Sequence, residues 1–81
     1  MSLQAEQSSL RPTRRESTVV HVINAVIAAE TDAIERYKAI IAATKRSDPL
    51  TNDVVSAILS DEEGHRRMFE GFLRAHEQAL R

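Results

Sequence analysis

The chain has 81 residues, no cysteine, and a formal net charge of −1 from 11 basic and 12 acidic side chains. A chain this short makes one domain at most and buries little surface as a monomer. The lack of cysteine excludes a disulfide framework, a cysteine-based zinc site and an iron–sulfur centre. The interspersed charges argue against a nucleic-acid or anionic-membrane surface.

No apolar run approaches the roughly 18 residues that span a bilayer, and the N-terminus lacks the apolar centre of a secretory signal. The default expectation is a soluble cytoplasmic protein with neither membrane nor nucleic acid as a partner. Aromatic residues are confined to Tyr37, Phe69 and Phe72. The core must therefore be aliphatic and alanine-rich, a composition that favours helix.

Residues 1–15, MSLQAEQSSLRPTRR, are polar and aperiodic with one proline, and read as a disordered N-terminal tail. Residues 16–81 read as a helical hairpin. The first helix is expected to begin near Ser17, a good N-cap just before Val19. Its seam runs Val19, Ile23, Val26, Glu30, Ala33, Tyr37, Ile40, Thr44, in steps of four and three that mark one helical face. Glu30, Tyr37 and Thr44 interrupt an otherwise aliphatic row. The Thr44 hydroxyl can bond a nearby backbone carbonyl. Lys45 and Arg46 suit the negative end of the helix dipole.

Ser47-Asp48-Pro49 reads as a turn, with either Asp48 or Thr51 as the cap of a second helix. That helix runs to near Ala79 along the seam Val55, Ile58, Glu62, His65, Phe69, Phe72, His76, Ala79. No internal repeat, β-alternation or glycine-rich phosphate loop appears. So short a connection forces the two helices to lie antiparallel. Helix 1 is also apolar at Val20, Val22, Ile27, Ile34 and Ile41, wider than one partner helix can cover. The expected fold is all-α: an antiparallel two-helix hairpin that pairs with a copy of itself into a four-helix bundle.

Three polar side chains share one level of this hairpin. Glu30 stands about 24 Å before the end of helix 1, and Glu62 and His65 lie roughly 18–23 Å into helix 2, at 1.5 Å per residue. All three occupy seam positions. Burying an unpaired carboxylate costs several kcal/mol, and the seam supplies no Arg or Lys to offset it. A cation would. Two-fold pairing doubles the set to four carboxylates and two imidazoles, the ligand set of a carboxylate-bridged two-metal site in a bundle core. Glu at i and His at i+3 face the same way. Carboxylate with imidazole suits iron or manganese, and zinc can also occupy such a site.

The stretch LSDEEGH, residues 59–65, resembles the last bundle helix of bacterioferritins. With Glu30, Tyr37 and Glu62-x-x-His65, the chain over about residues 19–76 resembles the ferritin-like superfamily, and its two-helix length is similar to the encapsulated ferritins. That resemblance implies a di-iron ferroxidase site at a dimer interface, oxidising Fe(II) to Fe(III) with dioxygen for iron storage or detoxification. It implies that Glu30 and His65 are terminal ligands, that Glu62 bridges the metals, and that Tyr37 sits just outside the ligands. It implies two iron ions per dimer and a homodimer at least, and leaves room for a larger ring and for an encapsulin shell around it. Two features depart from the pattern. Arg36 stands where those proteins tend to have Trp, and Ala29 precedes Glu30 where they carry extra acidic residues, with Asp32 remaining.

Blander readings stand beside these. Glu30 could fix register, as single polar seam residues do in coiled coils. Glu62 could pair with Arg66 on the surface, and His65 could be a satisfied core histidine. Tyr37 could be a core aromatic with one hydrogen bond. Asp61 could orient His65, though an exposed position fits it better. His76 is too far along to join the site, and reads as bundle-end packing or at most a weak accessory metal site. Glu63, Asp32 and Glu35 are expected in solvent beside Arg67, Arg36 and Lys38. Gly64 and Gly71, with Ala57, Ser60 and Ala75, form a small-residue stripe that suggests close helix approach. The rival to the ferroxidase is a non-catalytic helical oligomerisation module with a structural metal or a buried polar layer. A half-enzyme completed by a different chain is a third reading.

Overall fold

The computed structural model describes the backbone of residues 14–79 and the side chains of residues 18–79. It holds two helices, α1 (Arg14–Thr44) and α2 (Pro49–Ala79), and no strand among the described residues. Each has 31 residues, or about 46 Å of rise. The all-α hairpin stands. α1 begins at Arg14, three positions before the expected cap at Ser17, which lies inside the helix. The expected tail falls outside the described residues, apart from Arg14 and Arg15.

The connection accounts for its backbone groups. α1 ends at Thr44, so Lys45 and Arg46 lie in the turn just past it rather than in its last helical turn. The carbonyls at a helix C-terminus lack intrahelical donors, and three of these find partners here. The Asn52 amide donates to Ile41 O at 2.8 Å, the Ser47 hydroxyl to Ala43 O at 3.2 Å, and the Asp48 N–H to Thr44 O at 3.0 Å. Thr44 donates its hydroxyl to Ile40 O at 2.7 Å and accepts from the Asn52 amide at 3.3 Å. Asn52 thus ties the first turn of α2 to the last turn of α1.

Asp48 is the cap of α2. Its carboxylate accepts the Thr51 N–H at 3.1 Å and the Thr51 hydroxyl at 2.6 Å, while the Asn52 N–H bonds Asp48 O at 3.0 Å. Pro49 takes the first helical position, where its missing N–H costs nothing. The Thr51 hydroxyl first, and the Thr51 N–H second, hold the Asp48 carboxyl below the usual carboxylate range.

The expected seam holds at Ile23, Val26, Glu30, Tyr37 and Thr44 of α1 and at Val55, Glu62, Phe69 and His76 of α2, and shifts by one residue between these positions. Ile34, off that seam, is completely buried, and Ile23 is 7% exposed; these are the buried hydrophobic side chains among the described residues. Ile27 and Ile41 are half-buried, whereas seam residue Ile40 is 39% exposed. On α2, Leu59 and Leu73 are half-buried, whereas Ile58 and Phe72 face outward. The physical reason is phase ambiguity. A helix apolar at both 33 and 34, both 40 and 41, or both 58 and 59 offers two neighbouring rows. Side-chain packing within the hairpin decides which row turns inward.

Candidate metal centre

Glu30 lies near the middle of α1, and Glu62 and His65 near the middle of α2. The antiparallel turn brings them level. One donor atom from each, a carboxylate oxygen of Glu30 and of Glu62 and a ring nitrogen of His65, lie within 4.8 Å of one another. Within α2, His65 Nδ1 is 3.9 Å from Glu62 Oε1. That spacing follows from an i, i+3 pair on one helical face.

Burial across the three is graded. Glu30 Oε2 is shielded from solvent and has no hydrogen-bond partner. The Glu62 side chain is 23% exposed and that of His65 is 56% exposed. His65 therefore stands at the rim of the hairpin instead of inside its seam, again because the inward face shifts by one residue there.

This donor set fits a metal ion. A hidden carboxylate oxygen with no donor is costly, and a cation is the ligand that would satisfy it. Donors to a first-row metal lie about 2.0–2.2 Å from it, so two on one ion stand at most about 4.4 Å apart. Small side-chain rotations close the observed triangle to that size. Two carboxylates with one imidazole suit iron, manganese or zinc. One hairpin supplies three protein donors, fewer than such ions usually take.

The other singled-out residues are not among these three donors. Tyr37 is half-buried and sits seven residues beyond Glu30, about 10 Å along the helix. Its hydroxyl makes no hydrogen bond among the described residues. Asp61 is exposed and His76 half-buried at the far end of α2. Glu35 pairs with Lys38 at 3.6 Å as expected, while Glu63–Arg67 and Asp32–Arg36 form no ion pair among the described residues. A Cβ added at Gly64 or Gly71 would meet Arg67 Nη2 at 3.9 Å or Arg74 Nη2 at 3.7 Å, and no atom of α1. Close approach within the hairpin therefore does not account for these glycines.

Arg66 and Thr31 are what the sequence reading missed. Arg66 does not pair with Glu62; its Nη1 crosses the hairpin and donates to Thr31 Oγ1 at 3.4 Å. The expectation of a seam without a cation is corrected to this extent: a half-buried guanidinium lies one residue from His65. The local shift explains it, since position 66 moves inward as 65 moves out. No sequence signal separated it from an ordinary surface i, i+4 partner of Glu62.

No described helix is long and apolar enough to cross a membrane. Neither the curated proteins nor the solved structures contain a match to the chain. The model of one protein family, described as the ferritin-like domain, matches residues 2–79. That span takes in both helices and all three residues of the triangle, and the chain belongs to the ferritin-like family.

Proposed function

We propose that the protein is a ferroxidase that oxidises Fe(II) to Fe(III) at a two-iron site completed by two copies of the chain. The observation that carries this reading is the convergence of Glu30, Glu62 and His65, with Glu30 Oε2 hidden and unpaired. Membership of the ferritin-like family supports it. The two-helix form is the one the encapsulated ferritins use, and we place the chain beside them.

A second copy answers two needs at once. Val54, Ile58, Met68 and Phe72 lie exposed along α2, and Val22 and Ile40 along α1. His65 falls in the same outward row of α2, four and three residues from its neighbours at 61 and 68. A chain that covers this row covers His65 and brings its own Glu30, Glu62 and His65 to the same level. Four carboxylates and two imidazoles then surround two ions.

In this reading Glu30 and His65 each hold one ion and Glu62 spans both. His65 binds as the neutral imidazole. Tyr37 stands near the site without ligating. Each Fe(II) gives up one electron. Dioxygen that takes the pair with two protons leaves as hydrogen peroxide, so one site must hold two irons. Zinc or manganese can fill the same donors without turnover.

The test is Fe(II) oxidation in air. The unaltered protein is expected to form two ferric ions per dimer, and Glu62→Ala to lose this. Normal oxidation by Glu62→Ala would remove the reading. The exposed apolar row also fits a helical oligomerisation module with a structural metal; that protein would bind zinc and be indifferent to iron and oxygen.

A further inference from the structure

Arg66 has three carboxylates of its own helix at pairing distance in sequence: Glu62 at i−4, Glu63 at i−3 and Glu70 at i+4. Such pairs are the default partners of a helical arginine. Among the described residues it makes an ion pair with none of them. Its contact is with a neutral hydroxyl on the other helix, Thr31 Oγ1 at 3.4 Å. Thr31 directly follows Glu30, and Arg66 directly follows His65, so this contact sits against the candidate site.

The Thr31 hydroxyl is suited to one role only. It has a single proton, and it donates that proton to Ile27 O at 2.8 Å. Its oxygen is left as a pure acceptor. A guanidinium has donors alone, so the match is one-way and fixed. The acceptor is held by the backbone of α1 and cannot follow Arg66 toward α2.

We propose that Thr31 is a positioning residue for the metal site, holding the Arg66 guanidinium away from Glu30 and Glu62 so that their oxygens stay free for cations. The inference rests on the ferroxidase reading of the same site. Without the Thr31 acceptor, a half-buried guanidinium must find another. The strong ones are carboxylates, among them Glu62 at i−4 on its own helix and Glu30 beside Thr31 on the other, and a charge-assisted pair outcompetes a neutral acceptor. Paired with Glu62 or Glu30 rather than with Glu63 or Glu70, Arg66 would occupy a ligand oxygen, and an incoming metal would have to displace it. Retained at Thr31, the same cation lowers the repulsion among the clustered carboxylates without blocking them.

The experiment titrates Mn(II), which takes the same donors without oxidation, into the full chain at fixed ionic strength, following free Mn(II) by its electron paramagnetic resonance signal. Thr31→Val keeps the shape and removes the acceptor. It is expected to weaken Mn(II) binding about tenfold. Thr31→Ser keeps the hydroxyl and should bind as the unaltered protein does. Adding Arg66→Gln to Thr31→Val removes the competing cation and should restore most of the affinity. Circular dichroism of each metal-free variant reports whether the hairpin is intact. Unchanged affinity in an intact Thr31→Val protein overturns the inference, as does a loss that Arg66→Gln fails to rescue. If the unaltered protein binds no Mn(II), the metal-site reading itself falls.

Discussion

Glu30 carries the least comfortable atom among the described residues, a carboxylate oxygen screened from water and given no donor. Folding for stability alone would remove it. Glu30→Gln is therefore expected to stabilise the metal-free protein by about 1–3 kcal/mol while abolishing metal uptake, as seen by paired melts with and without Mn(II). A fall in metal-free stability would show that the carboxylate serves the fold. Asp48 is the opposite case, a carboxylate placed for structure. Its folded pKa lies below the unfolded value, so its contribution is fully present above about pH 5 and fades as pH falls through the carboxylate range. Asp48→Ala should lower the melting temperature at pH 7. Asp48→Asn, which can still cap, should leave it higher than Asp48→Ala and flatten the loss of stability between about pH 5 and pH 2. An unaltered acid limb in Asp48→Asn would place the acid sensitivity elsewhere.

At the level of the helices, Ile34 holds the hairpin from inside and Gly71 weakens α2 from outside. Ile34→Ala deletes the one completely buried large side chain among the described residues and should cost about 2–5 kcal/mol in chemical denaturation. Gly71→Ala should raise stability by about 0.5–1 kcal/mol, because the added Cβ meets only the mobile end of Arg74. Destabilisation by that change would locate a partner helix against the glycine. The sequence made the helices, the turn and the level of Glu30, Glu62 and His65 legible, because periodicity and rise per residue depend on local geometry alone. The phase of each helix was legible only in part. Ala33 beside Ile34, and Ile58 beside Leu59, give equivalent apolar signals, and only packing across the hairpin chooses between them. The same shift put His65 at the rim and drew Arg66 inward, which no pairing rule along one helix could foresee.

At the scale of the molecule, the two buried aliphatic side chains and the one pair of facing helices among the described residues make a thin core. An apolar row from Val54 to Phe72 in water is a surface that calls for a cover. In the proposed dimer a second copy of the chain would supply one and would complete the donor set that a lone hairpin leaves short. Sedimentation at micromolar concentration should therefore give twice the 9.1 kDa chain mass, and Phe72→Glu should shift it toward the monomer while weakening metal binding in parallel. Metal binding that survives intact in a monomeric Phe72→Glu protein would separate the site from the interface.

The most direct measurement is a crystal structure of the protein loaded with Fe(II) under anaerobic conditions, with anomalous scattering recorded at the iron edge. The account predicts two anomalous peaks near a two-fold axis, each within bonding distance of Glu30, Glu62 and His65 donors. Peaks elsewhere, or none, with those side chains turned to water or held by arginines, would contradict it.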